Sequence, residues 1–439
     1  MNVMKKIEIL IFLFFAGRAF SQTRASLLSH ASLDSCVQYA LRYQPSVNQS
    51  LIDEQIASRE IKSKLADWLP QINLNANYTN NFLLQKTVFG SNVISIGSFN
   101  ASYAQFILNQ TIFDRDVLLA RTSANDVRLE FKQLTVNTRI AIVAAVSKAF
   151  YDVLLTLKQI DLISEDIVLL ERSYRDAYNQ YKGGIVDKTD FQRATITLNN
   201  AKSQKRTAEE QLKSKYATLK LLMSYPQDQS LEIVYDSAQL MDQALAVDTT
   251  LQVDYNNRIE YQLLLTQKRL LEYNLRYYKW GYLPTLSAFG QYNLNYFSNQ
   301  FEKLYSVNYP TASAGLTLSF PIFQGTKRSQ QVRMAELQLN RIDYDFFAMK
   351  DSISAEYTQS LSSYKSNLAN YFVQKDNLAL AREVFEIIRL QYSHGVKTYL
   401  DVVTANNDLF NAQINLVNAA FQVLINKIDV QRSLGTLRY

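Results

Sequence analysis

Cysteine is almost missing from this chain of 439 residues. Cys36 is the only one, so neither an intramolecular disulfide nor a thiolate metal cluster can form within one copy. The residue reads as a small buried apolar side chain. Histidine is as scarce: His30 and His394 stand far apart and outside any ligand-spaced cluster, which argues against a bound metal. Lys+Arg 46 and Asp+Glu 40 are interspersed for a net charge of +6, too even a spread for a nucleic-acid partner. No nucleophile with a positioned base and no phosphate-binding loop stands out, so neither an enzyme nor a cofactor is expected. Long apolar runs are lacking too. Beyond the N-terminus none approaches 18 residues, so any membrane insertion must use a β-barrel, the other structure that satisfies its backbone groups in lipid.

The N-terminus is the exception. Lys5 and Lys6 precede the apolar stretch from Ile7 to Phe15, and Ala19 and Ser21 follow. This pattern predicts a secretory signal peptide over 1–21, cleaved before Gln22. Cys36 lies well past that cleavage point, so no lipid anchor is expected. Gly 11 and Pro 6 are few, while Tyr 28 and Phe 23 are many, a composition that suits long unbroken helices and some aromatic-rich surface.

The chain also repeats itself. "YKGGIVDKTDFQRATITLNNA" from Tyr181 has a counterpart in "YSHGVKTYLDVVTANNDLFNA" from Tyr392, 211 residues on. "WLPQINLNANY" from Trp68 answers "YLPTLSAFGQY" from Tyr282, with Pro70 and Pro284 offset by 214, and Phe113 answers Phe323 at an offset of 210. One nearly constant offset predicts two structural repeats, 22–223 and 255–439, with a small insertion at 224–254 that is either a belt or a linker.

Within each repeat a helix (34–67, 255–281) leads to a proline and then to strict alternation. Ile72, Leu74, Ala76 and Tyr78 alternate with polar residues, as do Leu286, Ala288, Gly290, Tyr292, Leu294 and Tyr296, where only Phe289 breaks the polar face. A second strand follows: 98–108 in the first repeat, and Ala312, Ala314, Leu316, Leu318 and Phe320 with their polar neighbours in the second. Segments 81–97 and 297–310 read as loops. Period-two alternation predicts four strands, each with one apolar face.

After each hairpin the period becomes helical. Segments 114–181 and 324–392 contain no proline, and each predicts a helix on the order of 100 Å long. Ile140, Val143, Phe150, Leu154 and Leu157 form a coiled-coil seam. The helices end at Gly183 and Gly184, and at His394 and Gly395, and return helices follow. The return seams are Phe191, Ala194, Leu198, Ala201, Lys205, Ala208 and Leu212, and Val402, Ala405, Leu409, Ala412, Leu416, Ala419 and Val423.

Four strands cannot close around themselves in lipid. Two chains would give eight strands with a filled interior, and three would give twelve around a lumen, which the asparagine-rich inner face favours. The expected fold is therefore an α+β membrane protein with a shared barrel.

In its order of "LDSCVQYALRYQPSV" from Leu33, "WLPQINL", "FPIFQGTKRSQ" and the two glycine tips, the chain resembles the TolC-type outer-membrane efflux proteins (outer membrane factors) along essentially its whole mature length. The resemblance implies a homotrimer, whose 12-stranded β-barrel continues into an α-helical coiled-coil periplasmic tunnel. It implies passive export in an efflux pump or type I secretion system. The partners would be outer-membrane lipid, a periplasmic adaptor (membrane fusion protein) and an inner-membrane transporter of RND, ABC or MFS type. A soluble periplasmic coiled-coil adaptor is the rival reading.

The resemblance also assigns sites. Gly184, Ile185, Val186 and Asp187, with Gly395, Val396, Lys397 and Thr398, would dock the adaptor, although their glycines also serve as helix caps. Asp401 would form an acidic ring at the periplasmic aperture, tied by Tyr392 and Lys397, with Thr404 in place of a second acid. Asp401 could equally cap the return helix, and its first-repeat counterpart Asp190 would be mainly structural. Trp68 and Trp280 would mark the periplasmic edge of the bilayer or pack the helix-to-strand junction.

Overall fold

The structure, a computed structural model, describes residue 28 and residues 30–184, 187–235 and 250–438. The expected signal peptide, Ile185 and Val186, and residues 236–249 of the insertion lie outside the described residues. Helices α1 (Leu33–Tyr43) and α2 (Pro45–Ala66) lead into strands β1 (Gln71–Asn80), β2 (Gln85–Phe89), β3 (Asn92–Ile96) and β4 (Asn100–Phe113). The long helix α3 (Arg115–Lys182) and its return α4 (Lys188–Met223) follow. The chain then gives α5 (Ile259–Trp280), β5 (Thr285–Ser298), β6 (Thr311–Ser319), a second long helix α6 (Lys327–Ser393) and its return α7 (Tyr399–Ser433).

Four strands form one antiparallel sheet in the order β1-β4-β5-β6, so the hairpins from the two halves of the chain pair through β4 and β5. The register carries the alternation across the whole sheet. Leu74 faces Phe106, Phe106 faces Tyr292, and Tyr292 faces Ala312, a continuous apolar row. The opposite face is a polar ladder, in which Gln105 donates to Gln291 (3.1 Å), Gln291 to Ser313 (2.8 Å) and Asn293 to Thr311 (3.0 Å). Phe289, the exception on that face, pairs with Gly315, and a Cβ on Gly315 would come within 3.0 Å of its ring. The glycine thus makes room for the aromatic. Among the described residues of one protomer, β1 and β6 have no strand partner on their outer edges.

The helices continue the strand order. Toward the sheet, α2, α3, α5 and α6 lie side by side. Thr135 on α3 donates to the Ser50 carbonyl on α2, Arg269 on α5 pairs with Asp126 on α3 at 2.7 Å, and Lys268 pairs with Asp343 on α6 at 2.8 Å. Toward the far end, α4 and α7 take the places of α2 and α5: Lys215 pairs with Asp152, Lys202 with Glu171 at 2.9 Å, and Asn406 with Asp166 at 2.8 Å. At 1.5 Å per residue the 68 residues of α3 span about 100 Å. A helix of that length cannot bury itself, and it is covered by shorter helices meeting end to end at its middle. There Cys36, Phe150, Leu154, Leu219, Met223, Tyr364 and Val423 form the main core. Arg258 is buried beside it, bonded to Glu260, Glu356 and the Ser433 carbonyl.

Several expectations need correction. Segment 81–97 is not a loop, because β2 and β3 make a two-stranded sheet of their own. The first helix breaks between Tyr43 and Pro45, since Gln44 before the proline is extended. Strand β4 runs on to Phe113, beyond the expected 98–108, with an irregularity between Thr111 and Phe113. The helix expected over 255–281 begins only at Ile259, after a short 3-10 turn at Tyr255–Asn257, while the two helices before the sheet end at Ala66 and Trp280, within one residue of expectation. Helix α3 also holds one 18-residue window of mean hydropathy 1.8, although Ser147, Lys148, Asp152 and Thr156 interrupt its apolar part and no continuous apolar run of that length occurs. Half of that window is buried inside the protomer, as in the core stretch of a long helix. Along the return helices the small residues of the expected seams, Ala194, Ala201, Ala208, Ala405, Ala412 and Ala419, are buried, which lets the backbones approach closely.

At the end of the sheet away from the helices, residues 299–310 fold back over the apolar face. The Phe301 ring meets Tyr78 at 5.7 Å and Tyr305 meets Tyr296 at 5.1 Å.

Candidate functional site

The two helical tips lie at the end farthest from the sheet. At the first, Gly183 stays near the right-handed region (φ −79°) and Gly184 turns left-handed at φ +71°, which a residue with a Cβ resists. The tip is held by rings. Phe191 on α4 packs against Tyr174, Tyr178 and Tyr181 of α3 at 5.5, 5.3 and 5.9 Å, and Lys182 sits over Tyr178 at 4.9 Å. Asp187, at the N-cap of α4, makes no side-chain capping bond.

The second tip is built differently. His394 ends α6, Gly395 is left-handed at φ +74°, and the Val396 N–H returns to the Gln391 carbonyl at 2.9 Å. Helix α7 then opens with a complete capping box. The Asp401 carboxylate accepts from the Thr398 N–H (2.9 Å) and hydroxyl (2.8 Å), and the Asp401 N–H donates to the Thr398 oxygen (3.3 Å). These bonds, the backbone one foremost, hold the Asp401 carboxyl below its ordinary range, and the charge of Lys397 adds a smaller push. The capping role is therefore realised within the protomer. Thr404 turns its hydroxyl to the Leu400 carbonyl at 2.9 Å.

Within the protomer Tyr392 bonds away from Asp401. Its hydroxyl donates to Gln180 on α3 at 3.3 Å, so it links the second hairpin to the first. Tyr399, the first residue of α7, reinforces that link: it is buried in a cluster with Ala177 of α3 and Ala194 of α4, and burial pushes its phenol up. Farther along, α7 lies on α3 through polar pairs. Gln159 donates to Asn418 (2.8 Å), Lys148 pairs with Asp429 (2.5 Å), and Asn406 donates to Asp166, whose carboxyl burial raises above the usual range.

Sequence reasoning missed Tyr399 and Gln180. The signal for Tyr399 was an aromatic where the first copy has Lys188; Gln180, on the helix before the tip, carried none.

At the helix-to-strand junction, Trp68 donates its ring N–H to the Ile112 carbonyl at 3.2 Å and lies under Arg121. Trp280 lines a junction cavity of about 340 Å³ together with Arg115, Lys327 and Arg328. Cys36 is fully buried, and burial pushes its thiol up to about 12, too high for a reactive thiolate. Among the described residues no group of three His, Cys, Asp or Glu side chains is placed to hold a metal ion.

This architecture has known counterparts. The profile of the family described as outer membrane efflux protein matches residues 36–224 and 267–436. Outer membrane protein TolC of Escherichia coli (strain K12) is 26% identical over 452 residues, covering 99% of this chain and 87% of that protein. Outer membrane protein OprJ of Pseudomonas aeruginosa is 23% identical over 93% of this chain and 85% of its own length. Among solved structures, the outer membrane protein VceC of Vibrio cholerae superposes with a TM-score of 0.74 at 14% identity, covering 92% of this chain and 96% of that one.

Proposed function

The chain belongs to the outer membrane efflux protein family, and from that premise we propose how it conducts: three copies close their four-stranded sheets into one 12-stranded barrel over a helical tunnel. It is an outer-membrane exit duct for efflux or secretion and not a soluble adaptor. The observation that carries the trimeric reading is the sheet, whose one face is apolar from β1 to β6 and whose two edges are unpaired. Unpaired backbone in lipid costs several kcal/mol per group, so the edges must meet other copies. The 14 residues of β5 run about 46 Å along the strand and, at the ~45° tilt of barrel strands, about 33 Å across the bilayer, close to its ~30 Å hydrocarbon core. Tyr78, Tyr296, Phe301 and Tyr305 stand at one end of that band and Trp68 and Trp280 at the other, the aromatic girdles of a barrel. On this reading 1–21 is a cleaved signal peptide, 22–223 and 255–439 are two repeats, and 224–254 lies at mid-height of a periplasmic extension.

The tips, with Gly184, Ile185, Val186 and Asp187 and with Gly395, Val396, Lys397 and Thr398, receive a periplasmic adaptor linked to an inner-membrane transporter of RND, ABC or MFS type. The duct itself is a passive route without catalysis. Three Asp401 carboxylates line the closed aperture beside Lys397 and Thr404, and the Tyr392–Gln180 bond is one of the ties that opening breaks. The capping bonds engage one Asp401 oxygen and hold the side chain ionised, so capping and gating coexist.

Two measurements test this. The outer-membrane fraction should yield a heat-dissociable band of three protomers, each lighter than the 50.5 kDa full-length chain by the cleaved 1–21 segment, and a monomer that stays soluble without detergent would overturn the barrel. In a planar bilayer, Asp401→Ala with Lys397→Ala should raise conductance and remove block by multivalent cations; unchanged block would remove the gate.

A further inference from the structure

The polar face of the sheet holds amides, hydroxyls and one group of rings, but no charge. None of the four strands, Gln71–Asn80, Asn100–Phe113, Thr285–Ser298 and Thr311–Ser319, contains an Asp, Glu, Lys or Arg. At the end away from the helices, Tyr103, Phe297 and Tyr309 gather on this face. The register puts them there: Tyr103 stands opposite Asn77 and Asn295, Phe297 stands opposite Ala101, and the Tyr309 N–H donates to the Asn295 carbonyl at 2.8 Å, one step beyond the pair of Asn293 and Thr311. They are distinct from Tyr78 and Tyr296, which lie on the apolar face. Phe297 meets Tyr103 at 5.6 Å with the planes 77° apart, and Tyr309 at 6.0 Å and 40°. Even so, Phe297 and Tyr309 stay 38% and 51% exposed.

What the rings can hold follows from their neighbours. With no ionised side chain on the strands, a charged ligand gains no counter-charge here, which favours a neutral one. A sugar would need hydrogen-bond donors beside the rings, yet the amide nitrogen of Asn295 is spent on the Tyr309 carbonyl (2.9 Å) and on Thr311 (3.4 Å). An extended polypeptide would need rings repeated along the strands, but on β5 this face offers Asn295, Asn293 and Gln291 before the next ring, Phe289, about 26 Å away. A flat, uncharged ring system meets all three conditions, because it stacks on one ring and touches another at its edge.

We propose that Tyr103, Phe297 and Tyr309 form a luminal stacking site for small, planar, uncharged aromatic cargo near the outer end of the barrel. The inference rests on the trimeric reading above, which makes the polar face the lumen.

The test is site protection in the assembled protein. Asn77→Cys stands beside Tyr103, Asn73→Cys lies on the same face closer to the helices, and the native Cys36 is buried, so the background is clean. In outer membranes, saturating caffeine, an uncharged planar ring system, should slow maleimide labelling of Asn77→Cys about threefold or more and leave Asn73→Cys unchanged. Sucrose at the same concentration should protect neither, and a tyrosine-bearing Gly-Ser peptide should protect more weakly. Phe297→Leu keeps an apolar side chain without a flat ring and should remove the protection. Equal rates with and without caffeine, protection that survives Phe297→Leu, or sucrose or peptide protecting as well as caffeine overturns the proposal. Absence of the heat-dissociable trimer in the Asn77→Cys protein strikes instead at the trimeric reading beneath it.

Discussion

The two helical hairpins have nearly equal lengths and the same order of elements, yet one is inside the protomer and the other at its edge. Helix α3, with 68 residues, packs against α2, α4, α5 and α7, and its buried positions run from Val117 to Ala177. Helix α6, with 67 residues, packs against α5 and α7 and buries Ala335, Ile342, Ile353, Tyr364 and Phe385. It leaves Met334, Leu337, Phe347, Leu380, Val384 and Leu390 exposed, too many apolar side chains for a surface meant to face water. Their tips differ in the same sense: the inner hairpin closes on packed aromatic rings, the outer on a capping box. Similar sequences thus acquire different jobs, one as the spine of a protomer and the other, on the trimeric reading proposed above, as a face for the next copy.

The largest effect should come from the spine. Phe150→Ala on α3 removes a fully buried ring and should cost about 3–5 kcal/mol in detergent unfolding, while Phe347→Ala on α6 should stay within ~0.5 kcal/mol for the dissociated protomer. Equal losses would break the contrast. Next is assembly: Phe347→Glu should abolish the trimer band while leaving the helical circular dichroism signal intact, and a surviving trimer would show that the α6 face is not buried between copies.

A smaller effect tests the polar seam that holds the second hairpin to the spine. Asn406→Ala strips a hydrogen bond from the half-buried Asp166 and should cost about 1–3 kcal/mol. Burial raises the Asp166 carboxyl and the Asn406 bond lowers it, so the variant should titrate higher still by NMR. Because its folded value lies above the ordinary 3.8, the contribution of Asp166 to stability is complete below that pH and fades as pH rises through the raised value.

The smallest effect concerns the caps. Asp401 has a lowered value, so its contribution is present above pH 3.8 and is lost as pH falls through the lowered value. Amide exchange in the first turn of α7 should quicken over that acid range and not in Asp401→Asn, whose cap does not titrate. Asp187→Ala on the first tip, where no capping bond exists, should change exchange little.

Much of this was legible in order and period. Alternation from Ile72 to Tyr78 and from Leu286 to Tyr296 marked strands because side chains on a strand have a period of two. The glycines at 184 and 395 marked turns because a left-handed φ disfavours a Cβ. The β2–β3 ribbon was not legible, since Val88 and Val93 share a face with Lys86 and Ser95 while Phe89, Ile94 and Ile96 share the other with Gln85 and Thr87, a mixture that erases the alternation that reveals a strand. The partners of Tyr392 and Tyr399 were hidden for another reason: each bridges helices roughly two hundred residues apart in sequence.

Local chemistry in the sequence determined the elements, their lengths and the polarity of each strand face. Tertiary structure alone decided that α3 would be covered and α6 left open, that Asp401 would close a cap, and that Tyr392 would reach Gln180. Which of two similar helices becomes the interior depends on which neighbours the chain brings beside it, and periodicity within a helix carries no record of its neighbours.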